Sequence, residues 1–444
     1  MKSNNLNADS KSFDASTVFF KEDFLHYLWK FKLFDFQDLH AVGGQTIIIN
    51  NCGTHNQNEG PDFLYAQVVV GEQLWAGNVE IHLKSSDWYV HKHEMDPNYD
   101  SVVLHVVWEY DVPVFLKDNS ELPTLQLKNF VDSNILKSYE NLIYGNQKWI
   151  LCEGHIGKTN DFVMDSWLNR LYFERLELKA NQIYKMLENT QNDWEAVLFH
   201  LLSKSFGMKL NGTAFLDLSQ SFEFSLLRKV RSVKGLIENL LFGQAGFLEE
   251  SKEDVFFNQL KDEYHFLKRK YNVEPISKSH FHFFRLRPSN FPTLRISQLA
   301  VLYECHDNLF SKIIECVTLN DYYKLFSVET SDYWKSHYVF GKESKKRVKK
   351  TTKAFIDVLL LNAVIPLKYA YLRFLNKINF IELEKLLYEI KPEKNSIIEK
   401  FQKEGVKVES SFSSQALLQL KNVYCDHKRC IECTIGLQIL KKNS

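Results

Sequence analysis

The chain has 444 residues, of which 45% are hydrophobic and 25% are charged, and its formal net charge at pH 7 is zero. This composition is typical of soluble globular domains, and the zero net charge excludes a long-range field that attracts the whole chain to nucleic acid or to an anionic membrane. Seven Cys residues in a chain of this length exclude a small disulfide scaffold.

The first segment of the chain, residues 1–17, is polar and predicts a disordered tail. It lacks the apolar stretch of a secretion signal. No later run approaches the roughly 18 apolar residues that indicate a membrane-spanning helix. We therefore expect a cytoplasmic protein for which a membrane is not a partner.

The N-terminal third predicts a small sheet. Apolar residues at helical spacing predict a helix within residues 19–34, with Glu22 in its first turn. Residues 87–93 predict a short helix or a loop, and Gly71 and Gly77 bracket a hairpin or a short bulged meander. Strands are predicted at residues 46–50, 63–70, 79–83, 101–110 and 122–127.

The remainder of the chain predicts helices. From about Asp161 the hydrophobic period changes to 3.6 residues, and helical patterns dominate to about residue 390. We therefore expect an α+β protein with three ordered parts. They are an N-terminal domain with a small mixed β-sheet at residues 18–150, a large mainly α-helical domain at residues 151–395, and a Cys-rich C-terminal hook at residues 396–444 that packs back on the rest.

Carboxylates and basic residues gather at one end of the predicted strands. Side chains of a strand alternate between faces, so Glu80, His82 and Lys84 share one face. Asp62 lies at the start of the neighbouring strand. Metal-dependent hydrolysis of a phosphodiester needs carboxylates that hold the metal and a basic group that orients water. The pattern predicts Asp62 and Glu80 as metal ligands, and the solvated face of an amphipathic strand has the same pattern.

The predicted order of helix, three strands, short helix and strand resembles the PD-(D/E)XK nuclease superfamily. Pro61-Asp62 and Glu80 match its two acidic half-motifs. The resemblance implies a restriction-endonuclease-like fold, Mg²⁺ or Mn²⁺ at the two acids, and hydrolysis of DNA or RNA. The Lys position of the superfamily, two residues after the second acid, holds His82 here, and Lys84 follows on the same face.

The same resemblance implies further groups in the site. The superfamily often takes an acid from its first helix, which matches Glu22, and Glu59 is a nearer alternative. His82 or Lys84 is expected to orient the attacking water. A neutral imidazole is a weaker electrostatic partner than an ammonium group. A second hypothesis is therefore a catalytically inactive nucleic-acid or protein interaction module on a nuclease-like scaffold.

Histidines cluster in the same region. His91, His93 and His105 join His82 there, and imidazole with carboxylate suits Zn²⁺, Mn²⁺ or Fe²⁺ better than Mg²⁺. The cluster therefore predicts an alternative metal site and, with it, a His-coordinated metallohydrolase that acts on a small substrate. Hydrogen-bonded histidines in a polar pocket explain the pattern equally well.

Three thiols lie close together near the C-terminus. Cys425, Cys430 and Cys433 occupy nine residues, a density that favours a metal over a disulfide in a cytoplasmic protein. Some helicase-associated nucleases of the same superfamily join one remote Cys to a C-terminal Cys trio through a [4Fe–4S] cluster, and this layout resembles theirs. Zn²⁺ serves equally well, and buried reduced thiols are the third interpretation. A fourth ligand is sought first at Cys152, then at His427 and Cys52.

Two basic segments suit phosphate backbones. Residues 341–353 hold seven Lys and Arg residues, and a bend between two Pro residues places arginines beside an aromatic ring. Arg forks bind phosphate and a ring stacks on a base, so both segments predict contact with DNA or RNA, whereas a solvated helix face also explains the first. The predicted nucleic-acid-binding residues are Arg285, Arg287, Arg295, Phe291, Lys346 and Arg347.

Short motifs along nearly the whole chain resemble a bacterial family of unknown function, DUF2851. They are G-P-D-F, V-E-I-H, S-D-W, H-K-H, R-P-S-N-F-P-T-L-R and C-I-E-C-T-I-G, spread between about Glu22 and Leu440. This resemblance implies no activity. The residues themselves favour a metal-dependent nuclease-like protein.

Overall fold

The computed structural model describes residues 20–56, 58–144, 149–377 and 380–442. The tail predicted to be disordered at residues 1–17 lies outside these residues. The chain forms two compact units. Among the described residues, the first contains those up to Trp167, Lys403–Val406 and those from Leu420 onward, and the second contains those of Leu168–Gln402 and Lys407–Gln419.

A mixed sheet of six strands forms the centre of the first unit. The central strands run in the order β1-β3-β4-β5-β6, and β2 pairs with β3. Neighbours are antiparallel from β1 to β4, whereas β5 is parallel to β4 and β6 is parallel to β5. The strands are β1 (Ile47–Asn51), β2 (Thr54–His55), β3 (Phe63–Val70), β4 (Gln73–Lys84), β5 (Val102–Glu109) and β6 (Thr124–Gln126).

Helices dominate the rest of the described chain, so the expected α+β class, with a small mixed sheet followed by a mainly helical region, is confirmed. A short hairpin of β7 (His337–Val339) and β8 (Lys342–Glu343) lies in the second unit. The helices are α1 (Glu22–Phe31), α2 (Asp87–Val90), α3 (Ser133–Tyr144), α4 (Asp161–Asn189), α5 (Trp194–Phe206), α6 (Met208–Gln220), α7 (Phe224–Val230), α8 (Leu236–Gln244), α9 (Val255–Tyr271), α10 (Pro292–Cys305), α11 (Leu309–Glu315), α12 (Leu319–Leu325), α13 (Asp332–Ser336), α14 (Lys353–Leu359), α15 (Ile365–Phe374), α16 (Phe380–Glu389), α17 (Ser396–Lys403), α18 (Ser411–Gln419) and α19 (Thr434–Lys442).

Helix α1 packs against the sheet. Phe24, Leu25 and Leu28 follow the helical period, and all three are fully buried in the core that the strands share. The indole nitrogen of Trp29 donates to the Cys52 carbonyl at 3.0 Å, which ties the helix to the segment after β1. The helix ends at Lys32, whose left-handed backbone (φ 50°) directs its amide to the last carbonyls. This packing fixes the polar face of α1 beside the ends of β3 and β4.

The two glycines predicted to bracket a hairpin have different roles. Gly71 lies in the turn between β3 and β4 with a φ of 63°, a conformation that favours glycine. Gly77 lies inside β4 instead, opposite Ala66 of β3. A Cβ atom on Gly77 would lie 2.4 Å from a methyl carbon of Val103 on β5. Its prediction as a turn residue was therefore wrong, and it allows close contact between β4 and β5.

The parallel pairing of β4 with β5 positions the histidines. Two parallel neighbours need a crossover, and residues 85–101 provide it with α2 and two short 3₁₀ helices, His93–Met95 and Pro97–Tyr99. The pairing register places Glu80 opposite His105. Residues of the crossover therefore return to the end of β4 that carries Glu80 and His82.

One helical stretch of the second unit, Lys353–Phe374, is long and apolar enough to cross a membrane by length and composition alone. Within this helical stretch, 72% of the most apolar 18-residue segment is buried, as in the core helix of a globular domain. The stretch joins α14 and α15 through a π-helical turn at Leu360–Val364.

The basic segment at residues 341–353 is mostly not helical. It contains β8 and an irregular connection that leads to α14. The interpretation as a solvated helix face was therefore wrong. Lys349 of this segment is buried, and its ammonium group donates to the carbonyl of His337 at 2.6 Å.

Candidate active site

Asp62 and Glu80 lie together where β3 begins beside β4. The Asp62 amide donates to Oε2 of Glu80 at 3.1 Å, and the Ile81 amide donates to Oδ2 of Asp62 at 2.9 Å. Each acid is thus anchored on the backbone of the strand segment that carries the other. The side chain of Asp62 is 22% exposed and that of Glu80 is 6% exposed. The amides use one oxygen of each carboxylate, which leaves the second oxygen for other partners.

Burial and repulsion make this acid pair electrostatically unfavourable. Burial raises the pKa of Glu80 far above its ordinary value, and the negative charge of Asp62 raises it further. A proton or a cation is needed to neutralise such a pair. This requirement is common at sites that bind metal ions or transfer protons.

Helix α1 adds an acid and an imidazole. Burial raises the pKa of Glu22 to about 7, and repulsion by Asp62 and Glu80 contributes. His26 lies one helical turn after Glu22, and its Nε2 is 3.2 Å from Oδ2 of Asp62. Although burial lowers the pKa of His26, the hydrogen bond and charge of Asp62 raise it above the ordinary value. Sequence reasoning missed His26, and its i+4 spacing from Glu22 was the available signal.

Four imidazoles converge on the other side of Glu80. Nδ1 of His82 is 2.9 Å from Nε2 of His105, and Nε2 of His82 is 3.1 Å from Nδ1 of His91. Nε2 of His93 is 3.3 Å from Oε1 of Glu80, and Nε2 of His82 is 3.5 Å from the same oxygen. One ring nitrogen from each of His82, His91 and His93 lies within 4.8 Å of the other two.

The two most deeply buried rings are neutral. Burial, followed by the neighbouring imidazoles, lowers the pKa of His82 to about 2. Burial and His93 lower the pKa of His105 to about 3. A neutral ring carries one proton and one lone pair, so each can donate one hydrogen bond and accept another or bind a metal.

Aromatic side chains enclose the histidines. The ring of Tyr99 stacks on His93 with centroids 3.7 Å apart. The buried indole of Trp88 contacts both His93 and His105, with centroids 5.4 and 5.5 Å away. These rings fix the orientation of the imidazoles. Sequence reasoning missed both aromatics, because an aromatic residue in a crossover has no pattern that separates a site wall from an ordinary core.

The model of the family described as "Protein of unknown function (DUF2851)" matches residues 22–396. The chain belongs to this family. The match begins at Glu22 and includes every residue of the acid and histidine clusters. No curated protein and no solved structure gives a match.

Two predicted site residues of the DUF2851 protein lie apart from these clusters. Lys84 is exposed at the end of β4, and its amide donates to Oδ2 of Asp87 at 2.9 Å. Glu59 is exposed in the loop before β3. None of the contacts described for Asp62 or Glu80 involves either side chain. Of the two basic residues predicted to orient water, only His82 lies beside Glu80.

The predicted nucleic-acid-binding residues lie in the second unit of the DUF2851 protein. Arg295 is 7% exposed, and its guanidinium group donates to Gln298 and Asn290, both at 2.8 Å. The group therefore stabilises the start of α10 from inside the protein, whereas the sequence predicted that it contacts nucleic acid. Phe291 is partly buried against Phe283. The exposed members of the predicted set are Arg285, Arg287, Lys346 and Arg347.

Four cysteines of the DUF2851 protein converge in the first unit. Burial raises the pKa of Cys152 to about 12, and the neighbouring Cys433 and Cys430 raise it further. Burial also raises the pKa of Cys425, with contributions from the other three thiols. Cys52 lies elsewhere and donates to the Trp29 carbonyl, and His427 is exposed. Among the six predicted ligands, these four thiols are the group that the structure brings together.

Proposed function

We propose that this DUF2851 protein is a metal-dependent hydrolase that cleaves phosphodiester bonds in DNA or RNA, with Asp62 and Glu80 at its active site. One observation carries the proposal: the carboxylates of Asp62, just before β3, and Glu80, on β4, each accept a hydrogen bond from the backbone of the segment that carries the other, and the charge of Asp62 adds to the burial that raises the pKa of Glu80. Divalent metals in phosphodiesterases are held by carboxylates in this way.

Each group of the site has a proposed task. A divalent ion such as Mg²⁺ or Mn²⁺ would supply a bound water of low pKa and stabilise charge on the phosphate. Asp62 and Glu80 would hold the ion through the oxygens that the amides leave unused. Glu22, with its pKa near 7, suits proton transfer at neutral pH. His26 keeps Asp62 oriented, and His82 replaces the lysine of related sites.

The order of elements supports the nuclease-like interpretation. Helix α1, strands β1, β3 and β4, helix α2 and strand β5 follow one another as in the core of the PD-(D/E)XK superfamily, apart from the two-residue β2. Glu22, Asp62 and Glu80 lie on α1, before β3 and on β4, which are the elements that the resemblance implied.

Contact with the nucleic-acid backbone is proposed for the exposed basic residues of the second unit. Arg285 and Arg287 are exposed, and Lys346 and Arg347 are exposed on the irregular segment before α14. Guanidinium forks bind phosphate oxygens in pairs, and such contacts weaken steeply with salt. Arg295 is not included, because it is buried and both of its terminal guanidinium nitrogens donate to neighbouring side chains.

A second candidate function is a His-coordinated metallohydrolase that acts on a small substrate. The proximity of His82, His91 and His93 favours it, since three imidazoles are a common ligand set of catalytic zinc. A third outcome is a scaffold that binds nucleic acid without cleaving it. A cleavage assay, together with measurements of nucleic-acid and metal binding, separates all three.

We also propose that the four converging thiols hold a structural metal, either a [4Fe–4S] cluster or Zn²⁺. Cys152 lies far from the others in sequence, so a shared ion would join the C-terminal segment to the body of the first unit. The described cysteines form no disulfide, which agrees with the proposed cytoplasmic location.

The test is a cleavage assay with labelled single- and double-stranded DNA and RNA in Mg²⁺ or Mn²⁺. We expect the wild type to cleave at least one substrate and Asp62→Asn and Glu80→Gln to lose activity. Glu72→Gln, at an exposed acid in the β3–β4 turn, is the matched control. Binding without cleavage would favour the inactive scaffold. Cleavage that survives in both site variants would overturn the proposal.

A further inference from the structure

The histidine cluster has the dimensions of a tetrahedral metal site. Zinc bonds to nitrogen and oxygen are about 2.0–2.1 Å long, so neighbouring ligand atoms of a tetrahedron lie about 3.3–3.4 Å apart. The separation between Nε2 of His82 and Nδ1 of His91 is 3.1 Å. Oε1 of Glu80 lies 3.3 Å from Nε2 of His93 and 3.5 Å from Nε2 of His82. These three distances are close to the edges of a tetrahedron with Glu80 as its fourth vertex, and the three imidazole nitrogens lie within 4.8 Å of one another.

Hydrogen bonding within the cluster leaves one ligand atom unused. His93 is buried, with only 9% of its surface exposed. Its Nε2 makes no hydrogen bond in the described part of the chain. This nitrogen nevertheless points at Oε1 of Glu80 from 3.3 Å. A buried nitrogen without a partner is costly. A cation between the nitrogen and the carboxylate would satisfy both.

The remaining histidine is placed as a supporting residue. His105 lies on β5, and its Nε2 is 2.9 Å from Nδ1 of His82, the nitrogen opposite the proposed metal-binding one. Metal-bound histidines commonly donate their second N–H to such a partner, which fixes both the tautomer and the ring orientation. His91 is exposed at the other side, so an ion can enter from solvent.

We propose that Glu80, His82, His91 and His93 bind one transition-metal ion of the Zn²⁺, Mn²⁺ or Fe²⁺ class, with His105 orienting His82. Three imidazoles and one carboxylate favour these ions over Mg²⁺, which prefers oxygen ligands and retains water. Four protein ligands fill a tetrahedron, so a water on this ion would require a fifth position. The inference rests on the proposed function only in placing this ion beside the hydrolytic site, with which it shares Glu80. The ligand set itself is tested without any substrate.

Metal binding is measured directly on the full chain. Protein stripped with a chelator is titrated with Zn²⁺, Co²⁺ and Mg²⁺, and bound metal is counted after gel filtration. Because the four cysteines also bind Zn²⁺ if the proposal above is correct, the readout is the difference between variants. We expect His91→Ala and His93→Ala each to bind one equivalent of Zn²⁺ fewer than the wild type. His265→Ala, at an exposed histidine of α9, is the matched control and should match the wild type.

Co²⁺ identifies the ligands. Its visible spectrum in the wild type should contain an imidazole- and carboxylate-bound component that disappears in His91→Ala, while any thiolate charge-transfer band remains. His91 is exposed, so its variant should keep the circular dichroism and melting temperature of the wild type. Unchanged metal stoichiometry in a folded His91→Ala, His93→Ala double variant would overturn the inference.

The two proposals fail separately. If the wild type cleaves nucleic acid with Mg²⁺ but its histidine cluster binds no Zn²⁺, the inferred metal site is contradicted and the proposed function is supported. One lost Zn²⁺ equivalent in the His91 and His93 variants, with no cleavage of any nucleic acid, would keep the metal site and remove the nuclease.

Discussion

Nδ1 of His82 on β4 lies 2.9 Å from Nε2 of His105 on β5, and both rings are at most 1% exposed. The parallel register pairs His105 with Glu80, two residues before His82, so the contact depends on the alignment of the two strands. Two buried imidazoles can satisfy each other only when one donates and the other accepts. His105 therefore sets the tautomer of His82.

Replacement of His105 should weaken transition-metal binding without removing a ligand. We expect His105→Ala to raise the dissociation constant for Zn²⁺ by about 10–100-fold, because His82 loses the partner that orients it. His105→Gln, whose side-chain amide can still face Nδ1 of His82, should recover part of the affinity. Competition titration with a coloured chelator measures both constants. Equal affinities for wild type and a folded His105→Ala protein would contradict this role.

The sequence predicted the strands of this region well, because β-branched runs bounded by turn residues are strong local signals. Residues 63–70 were predicted as a strand and form β3, and residues 87–93, predicted as a short helix or a loop, begin with α2. The meeting of Asp62 with Glu80 followed from strand alternation and adjacency. Gly77 was misassigned, because a glycine that permits close strand contact looks like a turn residue in sequence.

Contacts that depend on tertiary packing were harder to predict from the sequence than the strands were. His26 approaches Asp62 only because α1 packs over the sheet, and Tyr99 covers His93 only because the crossover folds back. Arg295 resembled a phosphate ligand because nothing in the sequence indicated that Asn290, Gln298 and the ring of Phe355 surround its guanidinium group. Lys84 shares the strand alternation of Glu80, yet it lies beyond the packed region and is exposed. The alternation of side chains along a strand predicts which face of the sheet a residue lies on, but it does not predict how deeply that residue is buried.

Gly77 tests the contact between β4 and β5. Gly77→Ala should destabilise the first unit by about 1–3 kcal/mol, because the added Cβ would meet a Val103 methyl at 2.4 Å and the Ser101 carbonyl at 2.6 Å. The free energy of unfolding in urea measures the effect. Gly43→Ala is the control, since its Cβ meets only the flexible end of Gln45. A Gly77→Ala protein as stable as the control would show that the strands separate freely.

Glu238 on α8 should make the second unit sensitive to pH. Its Oε1 accepts hydrogen bonds from the Trp334 indole at 3.0 Å and from Ser331 at 3.1 Å, and the residue is 4% exposed. Burial raises its pKa to about 7. Between its unfolded pKa near 4.5 and its folded pKa near 7, the folded state binds more protons than the unfolded state. This contribution to stability is full below pH 4.5 and is lost as the pH rises through 7.

Glu238→Gln should remove this dependence. The amide oxygen can still accept from Trp334, and no charge is buried at high pH. We expect the variant to gain up to about 3 kcal/mol relative to the wild type between pH 5 and pH 8, measured by urea unfolding at both values. Glu72→Gln, at an exposed acid, should shift neither curve. A variant whose difference from the wild type is the same at both pH values would exclude titration of Glu238.

The four-thiol site is tested by metal content and stability together. Cys430→Ser should lose bound iron or zinc, as counted by elemental analysis of protein purified without oxygen. Its melting temperature should fall by about 5 °C or more, because the ion no longer joins Cys152 to the C-terminal segment. Visible absorbance that disappears with the metal identifies an iron–sulfur cluster, whereas colourless zinc-containing protein identifies Zn²⁺.

The control is Cys305→Ser, at an exposed thiol that ends α10. It should keep the metal and the melting temperature of the wild type. Equal metal content in the two variants would show that these thiols are ordinary core residues.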